Sequence, residues 1–217
     1  MFKKFSGGGS QSWPLSKIVT ALEAKYDKAA EVGEDGPLKV FRVEDNGVIF
    51  VVAMMQTGPD SGKVVELGFF ARFVDFPVDA RMVEGINRNL HMSVASMEGP
   101  DLFLMAPMQV NGSFDQREFQ SFLDSWRRDL MVTLHGLSGE GQSFANSFPA
   151  AKMEAVREFA ANKAPEAGSA SPIDVLSQFL GDKDAMKRFC DSCDGRGKRG
   201  LFARSCSDCD GSGFTGG

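Results

Sequence analysis

The residues with the clearest chemistry in this sequence are its four cysteines, all of which lie between residues 190 and 209. They form two C-x-x-C pairs within a pattern that occurs twice, as C-D-S-C-D-G-R-G at 190–197 and as C-S-D-C-D-G-S-G at 206–213. Each C-x-x-C turns the chain so that two thiolates face one point, and two such turns supply the tetrahedral shell that Zn²⁺ prefers. The sequence therefore predicts a structural zinc finger in which Cys190, Cys193, Cys206 and Cys209 bind one Zn²⁺ per chain.

Glycines follow each C-x-x-C at the same two positions, as Gly195 and Gly197 in the first copy and as Gly211 and Gly213 in the second. A tight turn requires positive φ, which glycine adopts without steric cost, and a bare backbone can approach a sulfur closely. An N–H group that donates to a thiolate stabilises the anion that the metal requires. We therefore expect backbone N–H···S hydrogen bonds in both copies.

A pair of redox-active dithiols is the second interpretation of the same cysteines. Such a dithiol requires a C-x-x-C between a strand and a helix, with an activated and exposed first cysteine. Aspartates at 191, 194, 208 and 210 surround the thiols and are expected to raise their pKa values, which disfavours thiol redox chemistry. The pattern therefore favours the metal site.

The composition is that of an ordinary globular protein with a small excess of negative charge. Of its 217 residues, 42% are hydrophobic, and the formal net charge of −5 argues against nucleic-acid binding over the whole surface. A secreted disulfide protein would distribute its cysteines over the fold, so their clustering indicates a reducing, cytoplasmic environment. No apolar run is long enough to span a membrane, and the start M-F-K-K-F-S-G-G-G-S lacks the apolar segment of a secretory signal.

Apolar periodicity divides residues 13–137 into helices and strands. Leu15, Ile18 and Leu22 have helical spacing after Pro14, and residues 31–37 interrupt that pattern. Strand patterns follow at 38–44, 48–55 and 64–76, then a helix at 79–90, strands at 92–97 and 102–110, and a long helix to about residue 137 that begins with a capping box of Ser113 and Gln116 and buries Trp126. This order, α-β-β-β-α-β-β-α, predicts an α+β domain in which helices pack against an antiparallel sheet.

The remaining segments have the composition of connections. Residues 1–12 are rich in glycine and serine and are predicted to be a flexible tail, and 138–188 to be helical segments and a linker, with the finger at 189–217. Within the connection, an amphipathic helix is expected at 172–180, which either packs on the main domain or binds another protein. Because no cysteine lies in 13–137, we expect that domain to fold without the finger.

The doubled C-x-x-C-x-G-x-G resembles the cysteine-rich domain of DnaJ-type co-chaperones over about the last 25 residues. That family carries twice as many of these repeats, and its J domain has a His-Pro-Asp signature that this sequence lacks, since His91 precedes Met92 and His135 precedes Gly136. Stimulation of a heat-shock ATPase is therefore not implied. What the resemblance implies is a zinc module that contacts other proteins or unfolded chains.

Residues 13–137 resemble the YbjN-like family, which shares the fold of type III secretion chaperones. The resemblance lies in the order of the elements, in I-N-R-N-L at 86–90 before a strand, and in the long closing helix. It implies a non-catalytic domain that binds protein segments and often dimerises.

The residues of this domain give no pattern of an enzyme. It has no cysteine and no glycine-rich phosphate loop, and His91 and His135 are each isolated, so we interpret both as surface or core residues. Asn87, Arg88 and Asn89 could form a polar site, but a solvated helix face is the favoured interpretation. The domain's many methionines fill its core or, alternatively, form an adaptable surface for peptides.

These patterns lead to a non-enzymatic, cytoplasmic chaperone-like or adaptor protein, which binds other proteins through the α+β domain and the finger. A homodimer is compatible with the sequence, and no membrane contact is expected. The alternative is a zinc-finger regulator that binds nucleic acid, because cations surround the finger, although nearby aspartates offset them. These cations are Lys187, Arg188, Arg196, Lys198, Arg199 and Arg204.

Overall fold

The computed structural model describes residues 11–138, 187, 189–193, 195–199 and 204–215. Within these ranges the chain forms three helices and a seven-stranded antiparallel sheet, which confirms the predicted α+β class, and a small C-terminal unit around the cysteines. The helices are α1 (Leu15–Lys25), α2 (Ala80–Asn89) and α3 (Gln116–Leu137). The strands of the main sheet are β1 (Trp13–Pro14), β2 (Lys28–Asp35), β3 (Leu38–Asp45), β4 (Val48–Gln56), β5 (Lys63–Phe73), β6 (Val94–Glu98) and β7 (Asp101–Gln109), and the C-terminal unit contains β8 (Lys198–Arg199) and β9 (Arg204–Ser205).

The main sheet has two apolar faces. Its strand order is β2-β3-β4-β5-β7-β6, with β1 paired to the start of β5. Because side chains alternate along each strand, one face packs against the helices and holds the main core, which includes Phe50, Phe69 and Trp126. The opposite face, which we name the second face, carries a smaller cluster whose described members all lie on strands, namely Leu38, Val40, Val51, Ala53 and Phe70.

Helix α3 lies where the sequence predicts it, but a different residue caps its start. The predicted capping box of Ser113 and Gln116 is wrong, because the helix begins after Asp115, whose carboxylate accepts hydrogen bonds from the Arg117 and Glu118 amides at 2.8 and 3.0 Å. A carboxylate here satisfies amides that have no partner within the helix and also interacts favourably with the helix dipole. The buried stripe is the predicted one and includes Phe119, Leu123, Trp126, Leu130 and Leu134.

The structure contains a strand that the sequence patterns did not predict. Most of the segment 31–37 belongs to β2, which pairs with β3 through a register shift between Glu31 and Gly33. This strand has no clear alternation of apolar and polar residues, because it lies at the edge of the sheet and much of it is exposed. Lys39 on β3 forms ion pairs with Glu31 and Glu34 at 3.1 and 2.9 Å, so charge pairing supports the register.

A buried carboxylate holds the connection between α2 and β6. Asp129 on α3 is fully buried and accepts hydrogen bonds from the amides of His91, Met92 and Ser93 at 2.7–2.9 Å, and from the Ser93 hydroxyl at 2.8 Å. One buried carboxylate thus satisfies three consecutive backbone amides, so this side chain fixes how α3 meets the start of β6.

The polar residues at the end of α2 also have structural roles. Asn87 both donates to and accepts from the backbone of Ala95 at 2.8 Å, so its side chain occupies hydrogen-bonding groups of the edge strand β6. Arg88 is exposed and pairs with Glu84 one turn away, and Asn89 donates to a backbone carbonyl of its own helix. These contacts support the interpretation of a helix face over that of a polar site.

Several predictions concern residues outside the described ranges. Residues 1–10 of the tail predicted at 1–12, residues 139–186 of the connection predicted at 138–188, and the amphipathic helix expected at 172–180 all lie there. Among the helices that are described, none has the length and apolar character needed to cross a membrane.

Candidate metal centre

The structure brings the four predicted ligand cysteines together in one buried cluster. Their Sγ atoms all lie within 4.8 Å of one another, and each cysteine is at most 8% exposed. Sγ of Cys190 lies 3.9 Å from that of Cys206, and Sγ of Cys193 lies 3.7 Å from that of Cys209. A tetrahedron with metal–sulfur bonds of about 2.3 Å places its sulfurs about 3.8 Å apart, so the cluster has the size of a four-thiolate metal site.

Backbone amides point at two of these sulfurs, as the glycine pattern predicts. Gly197 donates to Sγ of Cys193 and Gly213 donates to Sγ of Cys209, both at 3.3 Å. The two bonds occupy equivalent positions of the repeated pattern. Each places positive charge density beside a sulfur, which stabilises a metal-bound thiolate.

The same two glycines allow the two copies of the pattern to approach closely. Gly197 and Gly213 have positive φ values of 66° and 82°. A Cβ at Gly197 would lie 2.2 Å from the carbonyl oxygen of Gly211, and one at Gly213 would lie 2.3 Å from that of Gly195. Both contacts are with backbone atoms, so a side chain at either position would force the two copies apart.

The two copies are also joined by reciprocal hydrogen bonds. The Cys190 amide donates to the carbonyl of Gly213 at 2.9 Å, and the Cys206 amide donates to that of Gly197 at 2.8 Å. Each bond runs from the first cysteine of one copy to the last glycine of the other. The finger therefore closes with approximate two-fold symmetry, which the repeat in the sequence encodes.

The thiol pKa values indicate how the cluster interacts with cations. Burial raises the pKa of Cys190 to about 12 and also raises that of Cys193. For Cys209 burial acts in the same direction, but the Gly213 amide and the neighbouring thiols outweigh it and lower the pKa to about 7. Four thiolates this close would repel one another, so the cluster accommodates either protons or a multiply charged cation.

The surroundings of the cysteines favour a metal site over a redox dithiol. In the described residues from 189 to 215, turns and short β segments carry the cysteines, and no C-x-x-C begins a helix there. The sulfur contacts of 3.9 and 3.7 Å join Cys190 to Cys206 and Cys193 to Cys209, which are cysteines of different copies. This is the arrangement of a shared ion and not of two separate dithiols.

Among the described cations near the finger, three are exposed on the β8–β9 hairpin. They are Lys198, Arg199 and Arg204. Arg199 pairs with Asp208 at 3.4 Å, and Asp208 also accepts from Ser192 of the other copy, so part of the local charge is neutralised within the finger.

Sequence reasoning missed two phenylalanines that flank the cluster. Phe189 precedes the first cysteine and Phe214 follows the last glycine, and their rings stack with centroids 5.6 Å apart. An isolated β bridge also joins them. Their positions at the two ends of the doubled pattern were a signal that they close the finger.

No protein-family model matches this sequence, and no curated protein compared with it is similar at a significant level. The resemblances to the DnaJ cysteine-rich domain and to the YbjN-like family therefore stay predictions.

Proposed function

We propose that this chain is a zinc protein whose four cysteines hold one structural Zn²⁺. The observation that carries the proposal is the set of sulfur separations, since 3.7 and 3.9 Å suit tetrahedral zinc coordination. The buried thiols and the amides directed at two sulfurs add support. All four positions of the tetrahedron would be taken by cysteine, which leaves no place for water or substrate and indicates a structural role.

Metal analysis of the purified protein tests this proposal. We expect close to one zinc per chain, and loss of that zinc in Cys193→Ser but not in Ser207→Ala, which changes an exposed side chain next to a ligand. Iron in place of zinc would revise the identity of the metal, since a four-sulfur site also suits iron. A protein without metal, with two disulfides in freshly reduced lysate, would contradict the proposal.

We further propose a non-enzymatic chaperone-like or adaptor role, in which the main domain binds segments of other proteins. The support is an apolar row on the second face, where Phe70, Met105 and Val94 lie in register on β5, β7 and β6 and are each half-buried. Methionine side chains adapt to different partners, and the row ends at the edge of the sheet.

A matched pair of methionine variants tests this role. Met105→Glu places a charge in the apolar row, whereas Met131→Glu places one on α3 at a side chain that is 47% exposed. In affinity purification from native lysate, we expect specific partner proteins to be lost with Met105→Glu and kept with Met131→Glu. Retention of the same partners by both variants would exclude the second face as the contact surface.

Binding of nucleic acid by the finger is the second candidate, and the exposed cations of the β8–β9 hairpin favour it. Because Arg199 already pairs with Asp208, we expect only weak binding that falls steeply with salt. Sub-micromolar, sequence-selective binding at physiological salt would promote this candidate over the adaptor role.

A further inference from the structure

The finger contacts the α+β domain through a continuous row of aromatic rings. The ring of Phe189 lies 5.4 Å from that of Phe76 in an edge-to-face arrangement. Phe76, in the connection between β5 and α2, is only 8% exposed and lies 6.4 Å from Phe73, which is fully buried in the main core. With Phe214 stacked on Phe189, the row runs from the core of the domain into the finger.

A second contact lies at the turn between β3 and β4. Gly47 occupies this turn with φ of 80°, and a Cβ there would lie 2.7 Å from the carbonyl oxygen of Ser212 and 3.0 Å from its Cα. Ser212 belongs to the second copy of the cysteine pattern, and its hydroxyl donates to the carbonyl of Cys209 at 2.7 Å. The backbone of the domain therefore contacts a residue that is hydrogen-bonded to the backbone of Cys209.

The finger residues that make these contacts depend on the closed cysteine cluster. Phe189 packs over Gly195, where a Cβ would lie 2.5 Å from the ring, and Phe214 follows the glycine that donates to Sγ of Cys209. If the cluster opened, these rings and Ser212 would lose the arrangement that fits Phe76 and Gly47. The contact surface of the finger therefore requires the closed cluster.

We propose that zinc in the finger stabilises the α+β domain through these two contacts, an inference that rests on the proposed zinc site. A ligand that binds only the folded form of one region also stabilises any region whose folding is coupled to it. The coupling is reciprocal, so contact with the folded domain also raises the affinity of the finger for zinc. The finger thus acts as a metal-dependent part of the domain and not as an independent module on a linker. The domain can fold alone, but it is less stable without the loaded finger.

Tryptophan fluorescence reports on the domain alone, because the chain has two tryptophans and both lie in the domain core. Thermal unfolding of the full chain is followed with zinc bound and after removal of zinc by a chelator, with the zinc content measured in each sample. We expect the midpoint reported by tryptophan to fall by about 4 °C or more when zinc is removed.

Two glycine variants locate the coupling. Gly47→Ala places a methyl group against Ser212, whereas Gly36→Ala, in the β2–β3 turn, has positive φ as well but nothing within 4 Å. Both variants carry backbone strain, so both melt at a lower temperature. Only Gly47→Ala is expected to lose most of the zinc-dependent shift, and Phe76→Ala, which removes the aromatic contact, provides a second variant if Gly47→Ala does not fold.

The outcomes separate the inference from the zinc site itself. A zinc-containing protein whose midpoint is the same with and without the metal would overturn the inference and leave the zinc site intact. If the zinc-dependent shift of the unfolding midpoint is the same in Gly47→Ala, Phe76→Ala and Gly36→Ala as in the wild type, the proposed contacts do not carry the coupling. A protein that contains no metal would overturn both.

Discussion

The finger and the α+β domain obtain their stability from different sources, although one chain forms both. In the finger the buried cluster consists of the four cysteines themselves, and the two copies meet through backbone atoms. In the domain a large cluster of apolar side chains fills the space between the sheet and the helices. A small unit of this kind cannot bury enough apolar surface to fold by that means alone.

This difference determines how each region responds to damage. Structural zinc contributes about 10–16 kcal/mol in isolated finger peptides, so if zinc binds here as proposed, we expect the loss of one cysteine or of the site's geometry to remove nearly all of the finger's stability. Apolar burial contributes about 25 cal/mol per Å² and is distributed over many residues, so the domain loses only part of its stability with each substitution. Changes at single positions in both regions test this contrast.

The largest effect is expected from Gly197→Ala in the finger. Its Cβ would lie 2.2 Å from a backbone carbonyl, so the two copies must separate and the sulfurs can no longer share one ion. We expect zinc affinity to fall at least about 100-fold, as measured by competition with a chromogenic chelator. Gly112→Ala is the control, because Gly112 has a similar φ of 67° but nothing within 4 Å, and its zinc affinity should be unchanged. Wild-type affinity in Gly197→Ala would contradict the role of the glycines.

Asp129→Asn should give the largest effect in the domain. The NH₂ group that replaces one carboxylate oxygen cannot accept a hydrogen bond, so either the His91 amide, which donates to Oδ1, or the Met92 and Ser93 amides, which donate to Oδ2, lose their acceptor. We expect the free energy of unfolding to fall by about 3 kcal/mol, measured by urea denaturation with tryptophan fluorescence. Asp124→Asn, at a side chain that is 63% exposed, should change it by less than about 0.5 kcal/mol. Equal effects of the two variants would show that Asp129 does not hold α3 to β6.

Alkaline pH should weaken the domain through Tyr26, the single tyrosine of the chain. Burial raises its pKa above the ordinary value of 10.0, the charge of Asp45 acts in the same direction, and Arg127 opposes them. The folded state keeps the phenol neutral, whereas the unfolded state ionises it above pH 10. The free energy of unfolding is therefore unaffected by this group below pH 10 and falls by about 1.4 kcal/mol per pH unit above it. Phenolate absorbance should rise near pH 10 in the denatured protein and only at higher pH in the native one. A native titration near pH 10 would show that Tyr26 is not buried.

The smallest effect is expected at the start of α3, where Asp115→Ala removes the carboxylate that accepts hydrogen bonds from the Arg117 and Glu118 amides. We expect the unfolding temperature to fall by about 2–4 °C, whereas Ser113→Ala should leave it unchanged. The amides of Glu118 and Arg117 lower the pKa of Asp115, so its contribution is present above the ordinary pKa of 3.8 and is lost as the pH falls below that value. If the unfolding temperature falls more in Ser113→Ala than in Asp115→Ala, the capping box predicted from the sequence would be supported instead.

Local spacing along the sequence determined the cysteine cluster and most of the elements. The doubled C-x-x-C-x-G-x-G predicts four converging sulfurs and the N–H···S bonds, because every group involved lies within a few residues of a cysteine. The stripe of α3, with Trp126 in the core, follows from helical periodicity in the same way. These features required no knowledge of the rest of the fold.

The tertiary structure alone decided which distant groups meet. Strand β2 has a weak pattern of its own and forms because β3 supplies its hydrogen bonds and Lys39 its ion pairs. Asp129 is separated by at least 36 residues from each of the amides that it binds, and Phe76 by more than a hundred residues from Phe189. Periodicity indicates which side of an element is buried, but the partner of a buried polar group or an aromatic ring depends on how the elements pack, so these contacts appear only in the folded chain.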